Sequence, residues 1–290
     1  MARLLKGKEA ADALNEKLLD RSIAMCEEGT APTLAIVRVG ENGSDIAYEN
    51  GAVKKAQQVA VAIEKFICPA DVEEDDLVEI INYINENEKI HGMLLLQPLP
   101  KHLNAERIRN TILPEKDMDC ISDGALGGLF LQKEDGYAPC TAESCMEILK
   151  YYDIPVQGKK VVVIGRSLVI GKPVALMLLK ENATVTICHT KTTAEDMAAL
   201  CKQADIIIAA AGHRNTLTAE MVCPGQTVID VGINFNEEGE MVGDVDFEPV
   251  SEIVEAITPV PGGDGSMTTT LLMKHVIEAA ERRLENKEPE

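Results

Sequence analysis

The apolar positions along the chain change period repeatedly, and those changes outline alternating helices and strands. Residues 8–27 carry apolar side chains at helical spacing, after which Pro32 and the β-branched run 33–39 read as a buried strand ending at Gly40. Helical patterning resumes over residues 48–61. A second strand is predicted at 62–67, a helix opened by acidic residues at 72–87, and a third strand at 92–96. Strand alternating with helix predicts a mostly parallel sheet whose ligands gather at the carboxyl ends of the strands, so Tyr48, Gln97 and the loop 117–122 are expected on one rim.

A second rhythm follows a predicted helix at 144–152. The apolar run 161–164 is the strongest strand in the chain, and strands repeat at 184–188, 206–210 and 227–231 with helical segments between them. That is the rhythm of a doubly wound nucleotide-binding unit. The fold class expected is α/β in two domains, residues 1–143 plus 265–290 and residues 144–264, with a closing helix over 268–284 returning to the first.

A length of 290 residues suits two such domains. With 28 Lys and Arg against 48 Asp and Glu, the formal charge is −20, a field that repels nucleic acid and anionic lipid. An anionic ligand must therefore be held by a local cluster of donors. The eight cysteines are scattered, without a CxxC pair or a histidine at zinc-ligand spacing, so neither a metal site nor a disulfide framework is expected. The N-terminal stretch lacks the apolar core of a signal peptide and no apolar run reaches membrane-spanning length, from which a cytoplasmic protein with reduced thiols is expected.

The turn after Ile164 reads Gly165-Arg-Ser-Leu-Val-Ile-Gly171-Lys-Pro173 and precedes a helical run. It is a glycine-rich strand-to-helix turn, although Ser167 stands where a dinucleotide fingerprint has its second glycine; a turn of this kind also occurs without a ligand. The next strand ends Ile187-Cys-His-Thr-Lys191, with no carboxylate to bond ribose hydroxyls. Arg166 and Lys191 instead offer cations to a 2′-phosphate, which selects NADP over NAD unless both are merely solvated. His189 is expected to bond backbone at the strand end, and His275 sits on the closing helix with no partner in evidence.

These residues, with Val39-Gly40 and Tyr48, Pro98-Leu-Pro100, the Pro114 to Asp119 segment, Pro139-Cys-Thr141, Asp230-Val-Gly-Ile-Asn234, Pro259-Val-Pro-Gly-Gly263 and Met267-Thr268, resemble the methylenetetrahydrofolate dehydrogenase/cyclohydrolase family of the FolD type over nearly the whole chain. The resemblance implies oxidation of methylenetetrahydrofolate in one-carbon metabolism, two domains meeting at a cleft, and a homodimer paired through the nucleotide-binding domains. It implies that Gly165, Arg166 and Ser167 meet the phosphates and ribose of NADP, Thr190 and Lys191 the adenosine end, and Ile233 the nicotinamide side. Tyr48 would line the folate's aromatic system and Asp119 would bond the pterin ring, the two residues nearest the chemistry, with Pro261, Gly262 and Gly263 also on the substrate. A purely structural carboxylate in the turn is the alternative for Asp119.

Three departures from the family stand out. Its Tyr-Val-x-x-Lys-x-Lys pattern, whose first lysine is central to the cyclohydrolase step, reads Tyr48-Glu-Asn-Gly-Ala52-Val-Lys54-Lys55 here. Positions four apart share a helical face while six apart differ by roughly 240°, so Lys54 replaces the amine only through a register change, for which Gly51 leaves room. The family's Val-Gln-Leu-Pro-Leu-Pro reads Leu95-Leu96-Gln97-Pro-Leu-Pro100, which turns the glutamine to the other face. Asp264 stands where the family has valine, and adds a carboxylate expected near the folate. The reading that follows is an NADP-dependent dehydrogenase with weak or absent cyclohydrolase activity. The alternatives are a bifunctional enzyme using Lys54 or Lys55, and a folate- or nucleotide-binding protein whose catalysis has lapsed.

Overall fold

The structure is a computed structural model that describes residues 1–133 and 136–286. The chain forms two compact units, one of Met1–Asp12 and Thr141–Thr268, the other of Ala13–Cys140 and Thr269–Glu290. In chain order the first elements are β1 (Arg3–Leu4), α1 (Gly7–Glu27), β2 (Thr33–Val39), α2 (Gly43–Gln58), β3 (Ala62–Cys68), α3 (Glu74–Glu86) and β4 (Gly92–Leu95). Short helices α4 (Ala105–Thr111) and α5 (Asp123–Phe130) follow, then α6 (Cys140–Tyr151).

In the unit containing these three strands, β2 is central and pairs in parallel with β3 and β4. Its side chains alternate across the sheet. Ala35, Val37 and Val39 join Leu77, Ile81 and Ile84 of α3 in one core, and the helix presents those three at i, i+4 and i+7. The opposite face carries Leu34, Ile36 and Arg38. Helix α2 starts earlier than its apolar pattern suggests, because the Asn42 side chain accepts from Ser44 N at 2.9 Å and caps it.

The second unit contains β5 (Lys160–Ile164), α7 (Gly171–Lys180), β6 (Thr184–Cys188), α8 (Ala194–Gln203), β7 (Ile206–Ala209), β8 (Thr227–Asp230), the hairpin β9 (Asn234–Phe235) and β10 (Met241–Val242), α9 (Phe247–Ser251) and β11 (Ala256–Ile257). Helix α10 (Thr268–Glu285) closes the chain. The sheet order is β1-β11-β8-β7-β5-β6, all parallel. Strands β7 and β8 are buried at every position; β7 accordingly reads as an unbroken apolar run, while β8 opens on Thr227 and ends on the buried Asp230.

The expectation that residues 1–143 lie together needs adjusting at the N-terminus. Arg3–Leu4 pair with β11 at the edge of the six-stranded sheet, and Ala2 N and Leu5 N donate to Ser251 O and Ile257 O. Met1–Asp12 therefore belong with that sheet; a two-residue strand is too short to show any alternation in sequence. Replacing the fully buried Ile81 by alanine should destabilise its unit by about 2–5 kcal/mol, read as a lower urea midpoint for that unit's transition.

Candidate functional site

In the six-stranded unit, parallel pairing aligns Ile164 with Cys188 and with Ala209, and Ala209 with Asp230. The loops that leave these four positions, including Gly165-Arg-Ser167, His189-Thr-Lys191 and Val231-Gly-Ile233, share one edge. Gly165 has φ +142°, and a Cβ there would run into the carbonyl of Ala210; a Cβ on Gly171 would likewise meet Gly165 O. These two glycines let the loop fold tightly against the start of α7. The Ser167 hydroxyl accepts from Ile170 N at 3.1 Å and Gly171 N at 3.4 Å, so the residue in the place of a second glycine organises the turn. The first turn of α7 carries no acidic residue, which leaves the positive end of its dipole open to an anion.

Arg166, Ser167, Thr190 and Lys191 are exposed on this edge, as is Ile233, at 63 %. Neither Arg166 nor Lys191 is in a salt bridge among the described residues. His189 accepts from Lys191 N through Nδ1 at 3.2 Å, the backbone bond expected of it, and shapes the loop that presents that lysine. Pro261 and Gly262 are exposed in the loop that follows β11, while Gly263 is buried against Pro259 O and Thr258.

Two buried carboxylates, neither assigned a role from sequence, hold these loops. Asp230 accepts from the backbone N–H groups of Gly232, Asp244 and Val245 at 2.9–3.0 Å. Asp244 accepts from Ala211 N, Gly212 N and the Asn234 amide at 2.6–2.9 Å. Gly232 and Gly243 pack directly on these carboxylates, where a Cβ would collide with the oxygens. The available signal was an aspartate at the end of a strand followed by Val-Gly, a pattern in which the acid caps its own turn.

In the three-stranded unit, Tyr48 lies on α2 and Asp119 in the turn after the one-turn helix Pro114–Lys116. Tyr48 and Asp119 are both half-buried and close enough to interact. The Tyr48 hydroxyl is pushed up from its usual pKa, first by burial and then by the charges of Asp119 and Cys140. It stays protonated at neutral pH. Burial also raises Asp119, against bonds from the Cys140 N–H at 3.0 Å and the Cys140 thiol. The turn itself is held by Asp117, 1 % exposed, which accepts from Ile121 N and Ser122 N. Asp117 is thus a structural carboxylate of this segment.

Sequence reasoning left His275 without a partner; the structure corrects this. Its Nδ1 lies 2.7 Å from Met118 O and 3.8 Å from Cys140 Sγ, and its ring lies 4.8 Å from that of Tyr137. It braces the Asp119 turn from behind, across 157 positions of sequence that no local pattern reports.

Residues 5–119 match the tetrahydrofolate dehydrogenase/cyclohydrolase catalytic domain, and residues 139–284 match the NAD(P)-binding domain of the same name. The chain is 47 % identical over 283 residues to the bifunctional protein FolD of Carboxydothermus hydrogenoformans, covering 97 % of this chain and 98 % of that one. The chain belongs to the tetrahydrofolate dehydrogenase/cyclohydrolase family. Among solved structures, bifunctional FolD from Campylobacter jejuni superposes with a TM-score of 0.93 at 37 % identity over 98 % of this chain and all of that one. The Trypanosoma brucei FolD, solved with NADP cofactor and an inhibitor, gives 0.89 at 31 % identity over 98 % of each chain. The α/β architecture with a catalytic and an NAD(P)-binding domain is that of the family.

Against the family pattern, the altered positions fall as follows. Ala52 is fully buried one helical turn beyond Tyr48, and α2 runs unbroken through Gly51 from Gly43 to Gln58. The helix therefore keeps its register, and Lys54 is exposed on another face. Leu96 is buried at 7 %, while Gln97 is exposed. Asp264, a carboxylate expected near the folate, is 6 % exposed and taken up within its own unit. It is bonded to the Ser144 hydroxyl, which also reaches Thr141 O at 2.6 Å, and burial followed by the charge of Asp230 holds its pKa well above the usual carboxylate range. Among the described residues no group of three or more His, Cys, Asp or Glu could hold a metal ion, and no helix is long and apolar enough to cross a membrane.

Burial raises Asp230 from the ordinary 3.8 to about 6. The folded protein then binds more protons than the unfolded chain between those values, so ionising Asp230 lowers stability as pH rises through the window, with the cost complete above about 6. The melting temperature of wild type minus that of Asp230→Asn should accordingly shrink from about pH 4 to about pH 7 by calorimetry.

Proposed function

We propose that the protein oxidises 5,10-methylenetetrahydrofolate to 5,10-methenyltetrahydrofolate with NADP, and hydrolyses the methenyl product weakly or not at all. The observation that carries this reading is Ala52, a buried methyl group on a regular helix one turn from Tyr48, where the family pattern places an amine. Hydride transfer needs two carbons aligned, and the folate nitrogens delocalise the resulting cation without obligatory proton transfer by the protein. Hydrolysis of that cation needs water activated and a proton delivered to a departing nitrogen. Ala52 and Leu96 offer neither. Tyr48, kept protonated, serves as an aromatic wall and hydrogen-bond donor rather than a base, and Asp119 orients the pterin.

The edge of the six-stranded unit fits a dinucleotide: two glycines that tolerate no Cβ, an uncompensated helix N-terminus, and exposed cations at Arg166 and Lys191. When bound, nicotinamide supplies the hydride acceptor. Gly165, Arg166 and Ser167 hold phosphates and ribose, Thr190 and Lys191 the adenosine end, and Ile233 covers the nicotinamide side. The absence of a carboxylate beside Lys191 at the end of β6 favours NADP. On the substrate side, Pro261, Gly262 and Gly263 complete the folate contacts. The enzyme acts as a homodimer, which light scattering tests by returning the mass of two chains rather than one.

A bifunctional enzyme drawing on Lys54 or Lys55 is favoured by the names of the relatives, and the unbroken α2 weighs against it. Assays of dehydrogenation and of methenyltetrahydrofolate hydrolysis, run with NAD and NADP in parallel, separate the two. NADP-dependent oxidation with hydrolysis at the solution rate is expected; hydrolysis well above that rate overturns the reading. Lys191→Ala should raise KM for NADP at least about tenfold, the loss of one charge-assisted phosphate contact, and leave KM for NAD unchanged.

A further inference from the structure

Helix α2 lies on the face of the small sheet that carries Arg38, and its buried positions are Asp45, Glu49, Ala52 and Ala56. None is a bulky apolar side chain that could key the helix into the strands. Interlocking of large side chains is what normally fixes the rotation of a helix about its axis, and here that stripe is small or charged.

An ionic contact stands in its place. Glu49, whose side chain is 6 % exposed, bonds Arg38 Nε at 2.7 Å through Oε2 and Lys65 Nζ at 2.7 Å through Oε1. The cations come from different strands, β2 and β3, and the register that pairs Ile36 with Lys65 puts both on one face. The Arg38 guanidinium also donates to Gly40 O, in the loop that leads from β2 into α2. One carboxylate is thereby fixed at both oxygens, to two strands and the entry loop together. Bonds from Lys65 and Arg38 outweigh burial and hold Glu49 ionised. Removing such charges from water is costly, and apolar residues of similar volume would be about as stabilising, so an interior pair of this kind contributes orientation more than stability.

We propose that Glu49 is a positioning residue for the folate half of the site: clamped by Arg38 and Lys65, it sets the rotation of α2 and with it the direction of the neighbouring Tyr48. The proposal rests on the reading above that Tyr48 contacts the substrate. With side chains about 6 Å from the helix axis, a rotation of about 15° moves the ring by about 1.5 Å, and a misplacement of about 1 Å can cost up to about a hundredfold in rate. Lys65, at 41 % exposure, is the weaker arm of the clamp and Arg38, at 11 %, the stronger.

The test is a double-mutant cycle. Glu49→Leu and Glu49→Gln are made in wild type and in Tyr48→Ala, with kcat and KM for methylenetetrahydrofolate measured alongside direct NADP binding. In wild type, Glu49→Leu should lower kcat/KM for the folate about tenfold or more and Glu49→Gln by less, with NADP affinity within about twofold. In Tyr48→Ala, neither change should reduce folate kcat/KM further. Equal losses in both backgrounds, loss of NADP affinity in step, or no loss at all overturns the proposal. Lys65→Met, on the exposed arm, decides the matter if the Glu49 variants fail to fold: a smaller loss, abolished in Tyr48→Ala, is expected, and an additive loss or none refutes the clamp. If Tyr48→Ala by itself leaves folate kinetics untouched, the reading of Tyr48 fails and the clamp falls with it. A damaging Tyr48→Ala with additive Glu49 effects removes the clamp alone.

Discussion

Parallel pairing is the constraint on which the candidate site of the six-stranded unit depends. Because β5, β6, β7 and β8 run in one direction and in matched register, their carboxyl ends fall at one edge and every following loop starts there. That alone would gather loops without ordering them. The ordering comes from Asp230 and Asp244, which together take five backbone N–H groups and the Asn234 amide from segments at 211–212, 232–234 and 244–245. Burying these carboxylates is tolerable because the donors converge on them, and glycines at 232 and 243 allow the approach.

The three-stranded unit uses parallel pairing for a different purpose. Its substrate-facing candidates, Tyr48 and Asp119, lie where burial disfavours ionisation, and Tyr48 is held protonated beside a carboxylate. Ala52 adds no titrating group on the same face of α2. Hydride chemistry tolerates a surround of this kind, since its demand is alignment, whereas acid–base work on water requires a group poised near neutrality. The restriction proposed for this chain thus follows from the buried methyl group of Ala52, on a scaffold otherwise shared with its family.

Much of this was legible in sequence because it is local. The apolar runs of β5 and β7, the Leu77, Ile81, Ile84 stripe of α3 and the glycine turn at 165–171 each announce themselves within a few residues. What escaped depends on distant partners. The edge strand Arg3–Leu4 has too few residues to show a period and is defined by β11. His275 looked idle until its bond to Met118 O was in view. That Ser144 and the interior take up the Asp264 carboxylate is likewise not reported by sequence. Arg38 did carry a signal: a cation inside an otherwise apolar strand calls for a buried acid, and Glu49 supplies it.

Oxidation and hydrolysis, joined by name in the family, are proposed to be uncoupled in this chain. A single turnover of methylenetetrahydrofolate with excess enzyme and NADP, quenched over time and resolved by product, examines this directly. Methenyltetrahydrofolate should accumulate in step with NADPH and decay to the formyl product only at the rate seen without enzyme. Formyl product appearing in step with NADPH, with no methenyl species building up, would contradict it.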